Sequence, residues 1–134
     1  MAEKNGVQWY NDSKATNVGA ALAAIAGQSA EKIILIAGGQ GKGQDFEPLR
    51  DVTGSRCRHV ILLGEDADKI QTVIDKRIPV SHVVSMQEAV VLARKYAESG
   101  DVVLLSPACA SFDMFNGYAH RGDVFKQCVL EVLA

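Results

Sequence analysis

The chain has 134 residues, the length of about one domain. Its formal net charge of −2 provides neither the basic field of a nucleic-acid-binding protein nor a polybasic membrane anchor. No apolar run approaches the roughly 20 residues that a membrane helix needs, and the first residues lack the apolar core of a signal peptide. We therefore expect neither nucleic acid nor a membrane among the partners of this chain.

The three cysteines occur without the CxxC or Cys/His spacing of a disulfide framework or a zinc site. Reduced thiols in a cytoplasmic protein are the simplest explanation. The sequence therefore predicts a cytoplasmic location and no metal site.

Apolar runs typical of buried strands alternate with segments of helical periodicity. In chain order, the first half predicts a strand at residues 7–10, a helix from residue 18 to a stop at Gly27, a strand at residues 32–37, a short helix around residues 48–52 closed by Gly54, and a strand at residues 59–63. Thr16 or Asn17 caps the first of these helices.

The second half continues the alternation. It predicts a helix at residues 67–74, a strand at residues 80–84, a helix opened by a Ser85/Glu88 capping box, a strand at residues 102–105 and a closing helix that includes Val124 and Val132. The pattern is typical of a single α/β domain with a largely parallel sheet and right-handed crossovers. We assign residues 7–134 to this domain and expect residues 1–6 to be linker or added residues.

Three polar segments each follow a predicted strand. They are residues 11–17 (NDSKATN), 38–45 (GGQGKGQD) and 106–113 (SPACASFD), here called the lysine loop, the glycine loop and the serine loop. Pro107 cannot donate a ladder hydrogen bond, so the last strand should stop near Ser106. Carboxyl ends of parallel strands share one sheet edge, where open α/β folds bind their ligands. We therefore expect the three loops to form one site.

The glycine loop fits neither common phosphate-binding pattern. A Walker A loop needs glycine where Ile36 stands and serine or threonine where Gly43 stands. A dinucleotide fingerprint needs glycine where Gln44 stands. Spacing alone equally suits a flexible turn. Lys42, a lysine among glycines with free backbone N–H groups, favours the binding of a carboxylate or a phosphate.

The lysine loop has two interpretations that composition does not separate. It is either a polar turn that caps a helix or an anion site in which Lys14 and a helix amino terminus act together. Asp12 suits hydrogen bonds with a ribose. In the serine loop, Cys109 has no nearby histidine to activate it, which favours packing over a nucleophilic role. Arg121 is expected to brace the last loop rather than to contact a substrate.

In this order, NDSKATN, GGQGK and SPACASFD resemble the carboxyl-terminal domain of the Mur ligases. Within that family they resemble the branch that adds D-glutamate to UDP-N-acetylmuramoyl-L-alanine in peptidoglycan precursor synthesis. The resemblance extends from Val7 to the closing helix and implies a Rossmann-like sheet with helices on both faces. It also implies a fragment that is inactive alone, because the chain lacks the Gly-Lys-Thr phosphate loop of the family's central ATPase domain.

The resemblance implies an ATP-dependent, amide-bond-forming ligase. ATP phosphorylates the carboxylate of the UDP-linked substrate, and the amine of D-glutamate attacks the resulting acyl phosphate. ATP and Mg²⁺ would be bound mostly by the absent central domain. At the matching motif positions, Asp12 contacts the ribose side of ATP, and Lys14, implied to be catalytic, contacts its phosphates or the transferring phosphoryl group.

The same motifs imply the residues that hold D-glutamate. Thr16 and Lys42 hold one of its carboxylates. Ser111, the Phe112 backbone and Tyr118 hold the other. Tyr118 stands where the family is expected to have phenylalanine, so we expect its contact to run through the backbone N–H.

Two other interpretations stay open. One is a stand-alone α/β module that binds a nucleotide or an acidic small molecule without catalysis. The other is a domain similar to that of folylpolyglutamate synthase, a family that shares the architecture and also adds glutamate. The serine-loop motif argues against the second, and the three motifs in family order favour the Mur ligases over both.

Overall fold

The computed structural model describes residues 2–134, which form one mixed sheet with helices on both faces. The strands are β1 (Ala2–Lys4), β2 (Val7–Asn11), β3 (Ile33–Ala37), β4 (Cys57–Leu62), β5 (Val80–His82) and β6 (Val102–Leu105). The helices are α1 (Val18–Ala26), α2 (Leu49–Arg56), α3 (Ala67–Val73), α4 (Met86–Tyr96) and α5 (Tyr118–Leu133). Within residues 2–134, no helix has the length and apolar character needed to cross a membrane.

The strand order across the sheet is β1-β2-β6-β3-β4-β5. All neighbours are parallel except β1, which runs antiparallel to β2. The last strand in the chain, β6, therefore lies between β2 and β3. Every residue of β3 and β6 is buried, as expected for central parallel strands covered on both faces.

Two apolar cores lie on opposite faces of this sheet. Helices α1, α2 and α3 pack Ile25, Leu49 and Ile70 into one core, whereas α4 and α5 pack Val90 and Phe125 into the other. The three connections from β2 to β5 therefore cover one face, and the return from β5 to β6 crosses the other. If all crossover connections are right-handed, connections that run in opposite directions across the sheet must lie on opposite faces, as observed. The predicted α/β fold is confirmed.

Several element boundaries differ from the prediction. Residues 2–4, expected to be linker or added residues, form the antiparallel edge strand β1. The expected stop at Gly54 is wrong, because α2 continues to Arg56; an internal glycine costs a helix only about 1 kcal/mol. Helix α5 begins at Tyr118, earlier than the apolar spacing around Val124 indicated. The Ser85 cap is confirmed, since its Oγ accepts the Glu88 N–H at 3.1 Å.

Candidate functional site

The three loops leave the carboxyl ends of three neighbouring strands. The lysine loop follows β2, the serine loop follows β6 and the glycine loop follows β3, and β6 lies between the other two. The serine loop leads to α5 on one face, whereas the other loops lead to α1 and α2 on the opposite face. In open α/β sheets, ligands usually bind at the carboxyl edge where neighbouring loops diverge in this way. The loops therefore meet, as expected.

Backbone hydrogen bonds fasten the serine loop to both of its neighbours. Gln40 and Ala110 each donate an N–H to the carbonyl of the other at 2.9 Å. On the other side, the Ala108 N–H donates to the Ala15 carbonyl at 2.9 Å. The relative position of the three loops is therefore set by the main chain, independently of any ligand.

One side chain, that of Gln44, joins the glycine loop to the serine loop and to the start of α1. Its Oε1 accepts the N–H of Val18, the first residue of α1, at 2.9 Å. Its Nε2 donates to the Ala108 carbonyl at 2.7 Å. Ala108 has a φ of 61°, a left-handed conformation that costs a non-glycine residue about 1–3 kcal/mol. The Gln44 amide therefore supports a strained turn of the serine loop.

The lysine loop contains both charged residues that the resemblance assigned to ATP. Asp12 is half-buried and donates its N–H to the Leu105 carbonyl at 2.8 Å. Burial raises the pKa of the Asp12 carboxyl, and the nearby charge of Lys14 opposes that rise. Lys14 is exposed. Asn17, rather than Thr16, caps α1 by accepting the Ala20 N–H at 2.9 Å, which leaves the Thr16 hydroxyl outside the cap.

The glycine loop holds Lys42 in an unusual backbone conformation. Lys42 has a φ of 53° and is exposed, and Gly43 follows with a φ of 77°. The glycine at position 41 is required by space, since a Cβ there would lie 2.5 Å from the Phe46 ring. Strained, non-glycine backbone of this kind clusters at ligand sites.

The serine loop contributes a buried hydroxyl. Ser111 is 2% exposed, and its Oγ has no hydrogen-bond partner among the described residues. Phe112, by contrast, is 67% exposed. Tyr118 is the exposed first residue of α5, and Gly117 before it provides no side-chain cap. The first-turn N–H groups of α5 therefore lack a capping partner, and such groups suit an anion.

Three further residues support these loops. Arg121 contacts both the lysine loop and the serine loop, in agreement with its expected role as a brace. The supporting roles of Gln44 and of Asp66, whose Oδ2 accepts the Gly41 N–H of the glycine loop, were not predicted. Gln44 entered the sequence argument only as a mismatch to a glycine motif. Asp66 follows β4, a fourth parallel strand, and residues that follow parallel strands share one sheet edge. This position could have indicated its role from the sequence.

The chemistry available at this edge is the binding and orientation of anions. Lys14, Lys42 and Arg121 provide positive charge, while hydroxyls and backbone N–H groups provide neutral donors. Burial raises the pKa of the Cys109 thiol to about 12, so this residue is protonated and unsuited to nucleophilic attack. Residues 2–134 contain no group of three metal-binding side chains.

Comparison with known proteins relates the chain to one family. The family described as "Mur ligase, glutamate ligase domain" matches residues 1–109. UDP-N-acetylmuramoylalanine–D-glutamate ligase from Nitrosococcus oceani is 55% identical over 100% of this chain and 30% of the relative. The corresponding ligase from Pseudomonas fluorescens Pf-5 is 57% identical over 98% of this chain. The chain thus spans about 30% of the length of these curated relatives.

Among solved structures, MurF ligase from Thermotoga maritima in complex with ADP superposes with a TM-score of 0.65 at 17% identity, over 98% of this chain and 30% of that one. This likeness concerns the fold alone. It agrees with the α/β architecture, and the family match covers most of the sequence. The chain therefore belongs to the Mur ligase, glutamate ligase domain family.

Proposed function

We propose that this chain is the amino-acid-binding domain of an ATP-dependent ligase that adds D-glutamate to UDP-N-acetylmuramoyl-L-alanine in peptidoglycan precursor synthesis. The observation that carries the proposal is the pair of backbone contacts that fasten the serine loop to the lysine loop and to the glycine loop. They gather lysines, hydroxyls and backbone donors at one sheet edge. The relatives named for D-glutamate ligation support this choice of substrate.

D-Glutamate carries two carboxylates, and a buried anion left unpaired costs several kcal/mol. In our proposal, Lys42 and the Thr16 hydroxyl hold one carboxylate. The Ser111 hydroxyl and the backbone N–H groups of Phe112 and Tyr118 hold the other. The unpartnered, buried Ser111 Oγ supports this assignment. Because Tyr118 would act through its N–H at the start of α5, its phenol is not required.

For ATP, we propose that Asp12 contacts the ribose side and that Lys14 contacts the phosphates. Both lie directly after β2, beside the proposed D-glutamate site. The ADP present in the solved MurF ligase supports nucleotide binding by the family. Mg²⁺ and most of the ATP would be held by parts of the ligase outside this chain. A cytoplasmic location accords with three free cysteines.

In the proposed reaction, the γ-phosphoryl group of ATP passes to the substrate carboxylate and ADP leaves. The amine of D-glutamate then attacks the acyl carbon, forms the amide bond, loses a proton and expels phosphate. The residues of this chain that hold D-glutamate position its amine for this attack. Lys14 offsets the negative charge of the transferring phosphoryl group. We assign no general base to the chain.

The test is to measure phosphate release by the full-length ligase that carries this domain, with ATP and UDP-N-acetylmuramoyl-L-alanine present. We expect release that depends on D-glutamate and not on L-glutamate. A well-folded full-length protein that hydrolyses ATP at the same rate with or without D-glutamate would contradict the proposal. Binding of a nucleotide without turnover would favour a non-catalytic module instead.

A further inference from the structure

Arg121 is a buried cation that joins two of the three loops. It is 2% exposed and lies in the first turn of α5. Its Nε donates to the Ser13 Oγ at 2.9 Å, and its Nη2 donates to the Ser13 carbonyl at 2.7 Å. Its Nη1 donates to the Cys109 carbonyl at 2.9 Å. One side chain thus fastens the lysine loop to the serine loop.

Ser13 closes this network back onto α5. It is 4% exposed, and its Oγ donates to the Tyr118 carbonyl at 2.7 Å while it accepts from Arg121. Ser13 lies between Asp12 and Lys14 in the chain. The Arg121–Ser13 pair therefore fixes the lysine loop relative to the first turn of α5.

The charge of Arg121 has no direct counter-ion. None of the ion pairs formed by residues 2–134 includes it. Asp113 lines the same small cavity. Its Oδ2 accepts the Glu65 N–H at 2.8 Å, and its Oδ1 is buried without a hydrogen-bond partner among residues 2–134. Burial lowers the pKa of the Arg121 guanidinium to about 10, although the negative charge of Asp113 acts to raise it, so Arg121 still carries its charge at neutral pH. The Asp113 carboxylate therefore offsets part of the cost of burying this charge without forming a direct ion pair with it.

We propose that Arg121 is a positioning residue for the dianion site. It holds the lysine loop and the serine loop in the relative arrangement that the ligand requires. This inference rests on the proposed function, since it names a residue that acts on the D-glutamate site through Ser13.

The kinetic test uses the full-length ligase with the variants Arg121→Lys, Ser13→Ala and the double variant. Lysine keeps the charge but cannot form the three-way fork. We expect each single variant to raise the KM for D-glutamate about tenfold, the effect of losing a charge-assisted hydrogen bond. Because the two side chains share the Arg121 Nε–Ser13 Oγ hydrogen bond, the double variant should raise the KM by clearly less than the product of about 100-fold. An unchanged KM in Arg121→Lys, or a multiplicative effect, would overturn the inference.

Arg56→Lys is the matched control. Arg56 also donates to three backbone carbonyls, those of Ile25, Gln28 and Ala30, but these lie in the last turn of α1 and just after it, away from the site edge. If the three hydrogen bonds of an arginine have only a structural role, their loss lowers the stability of the protein without changing the KM for D-glutamate. We therefore expect Arg56→Lys to lower the melting temperature and to leave that KM unchanged.

Amide hydrogen exchange separates this inference from the proposed function, because it needs no substrate. We expect Arg121→Lys to speed exchange at the Ala108 N–H, which bonds across the two loops, and not at the amides of β3. Ser13→Ala provides the same measurement if Arg121→Lys does not fold. Unchanged exchange at Ala108 would overturn the inference. A wild-type ligase indifferent to D-glutamate would overturn only the substrate assignment.

Discussion

The Asp66 Oδ2 accepts the Gly41 N–H at 2.6 Å, and this bond joins the loop after β4 to the glycine loop. The contact is reciprocal, since the Asp66 N–H donates to the Gly39 carbonyl at 2.9 Å. Asp66 is 8% exposed, so little water competes for these groups. A carboxylate from a fourth strand end therefore holds the backbone that precedes Lys42.

Replacing Asp66 by alanine should loosen the glycine loop. The variant leaves the Gly41 N–H without its partner and costs about 1–3 kcal/mol of the free energy of unfolding. Since Lys42 directly follows Gly41, we also expect the KM for D-glutamate to rise several-fold in the full-length ligase. Chemical denaturation and steady-state kinetics measure the two effects.

Asp68→Ala is the control for this prediction. Asp68 lies in the first turn of α3, close in sequence to Asp66, but its side chain is 95% exposed. Its removal should change neither the free energy of unfolding nor the KM for D-glutamate appreciably. If Asp66→Ala and Asp68→Ala had the same KM for D-glutamate, the glycine loop would not depend on the Asp66 carboxylate.

Gln44→Leu tests the side chain that joins the glycine loop to the serine loop and to the start of α1. Leucine has a similar volume but removes both hydrogen bonds, to Val18 and to Ala108. We expect a loss of about 1–3 kcal/mol in the free energy of unfolding and a raised KM for D-glutamate. Gln28→Leu provides the comparison, because Gln28 donates to one carbonyl at the far end of α1. A raised KM in both variants would contradict a specific role for Gln44.

His59 gives the fold a predictable dependence on pH. Burial lowers the pKa of its imidazole, whose ring stacks on Tyr96 with centroids 4.4 Å apart. In the unfolded chain, His59 takes up a proton near its ordinary pKa of about 6.5, whereas in the folded chain it does so only at lower pH. The unfolded state therefore binds more protons in this interval, and stability should fall as the pH drops below about 6.5.

His59→Phe removes this titration and keeps an aromatic ring against Tyr96. We expect its free energy of unfolding, measured in urea at a series of pH values, to fall less than that of the wild type between about pH 7 and pH 5. Parallel curves for the two proteins would show that His59 does not contribute to the acid sensitivity.

The architecture was predictable because buried parallel strands have a simple pattern. The uninterrupted apolar runs of β3 and β6 indicated strands buried on both faces, and polar residues directly after them indicated the binding edge. The order of the strands was not predicted. Boundaries were less predictable where tertiary contacts outweigh local preference. Helix α2 passes through Gly54, and the polar residues that precede Val124 form the first turn of α5.

The candidate site likewise contains some residues that could be predicted from the sequence and others that could not. Lys14, Lys42 and Ser111 were recognisable from the sequence because each lies within a short motif of contiguous residues. Gln44 and Asp66 were not, because their roles depend on partners 64 and 25 residues away in the chain. Contacts between loops at this separation leave no periodic signal.

The central claim is that three loops together bind a dianion, and Lys42 is an exposed cation of the glycine loop. We expect Lys42→Ala and Lys42→Gly in the full-length ligase to raise the KM for D-glutamate about 10- to 100-fold, with a much smaller effect on the KM for ATP. Glycine relieves the positive φ at this position, so equal effects of the two variants identify the lost charge as the cause. Lys76→Ala, at an exposed residue after α3, is the control.

The most direct measurement therefore compares, in Lys42→Gly, the change in the KM for D-glutamate with the change in the KM for ATP. A selective loss of D-glutamate affinity is the result that the proposal predicts. Equal changes in both KM values, or no change in either, would contradict the claim that the glycine loop holds a carboxylate of D-glutamate.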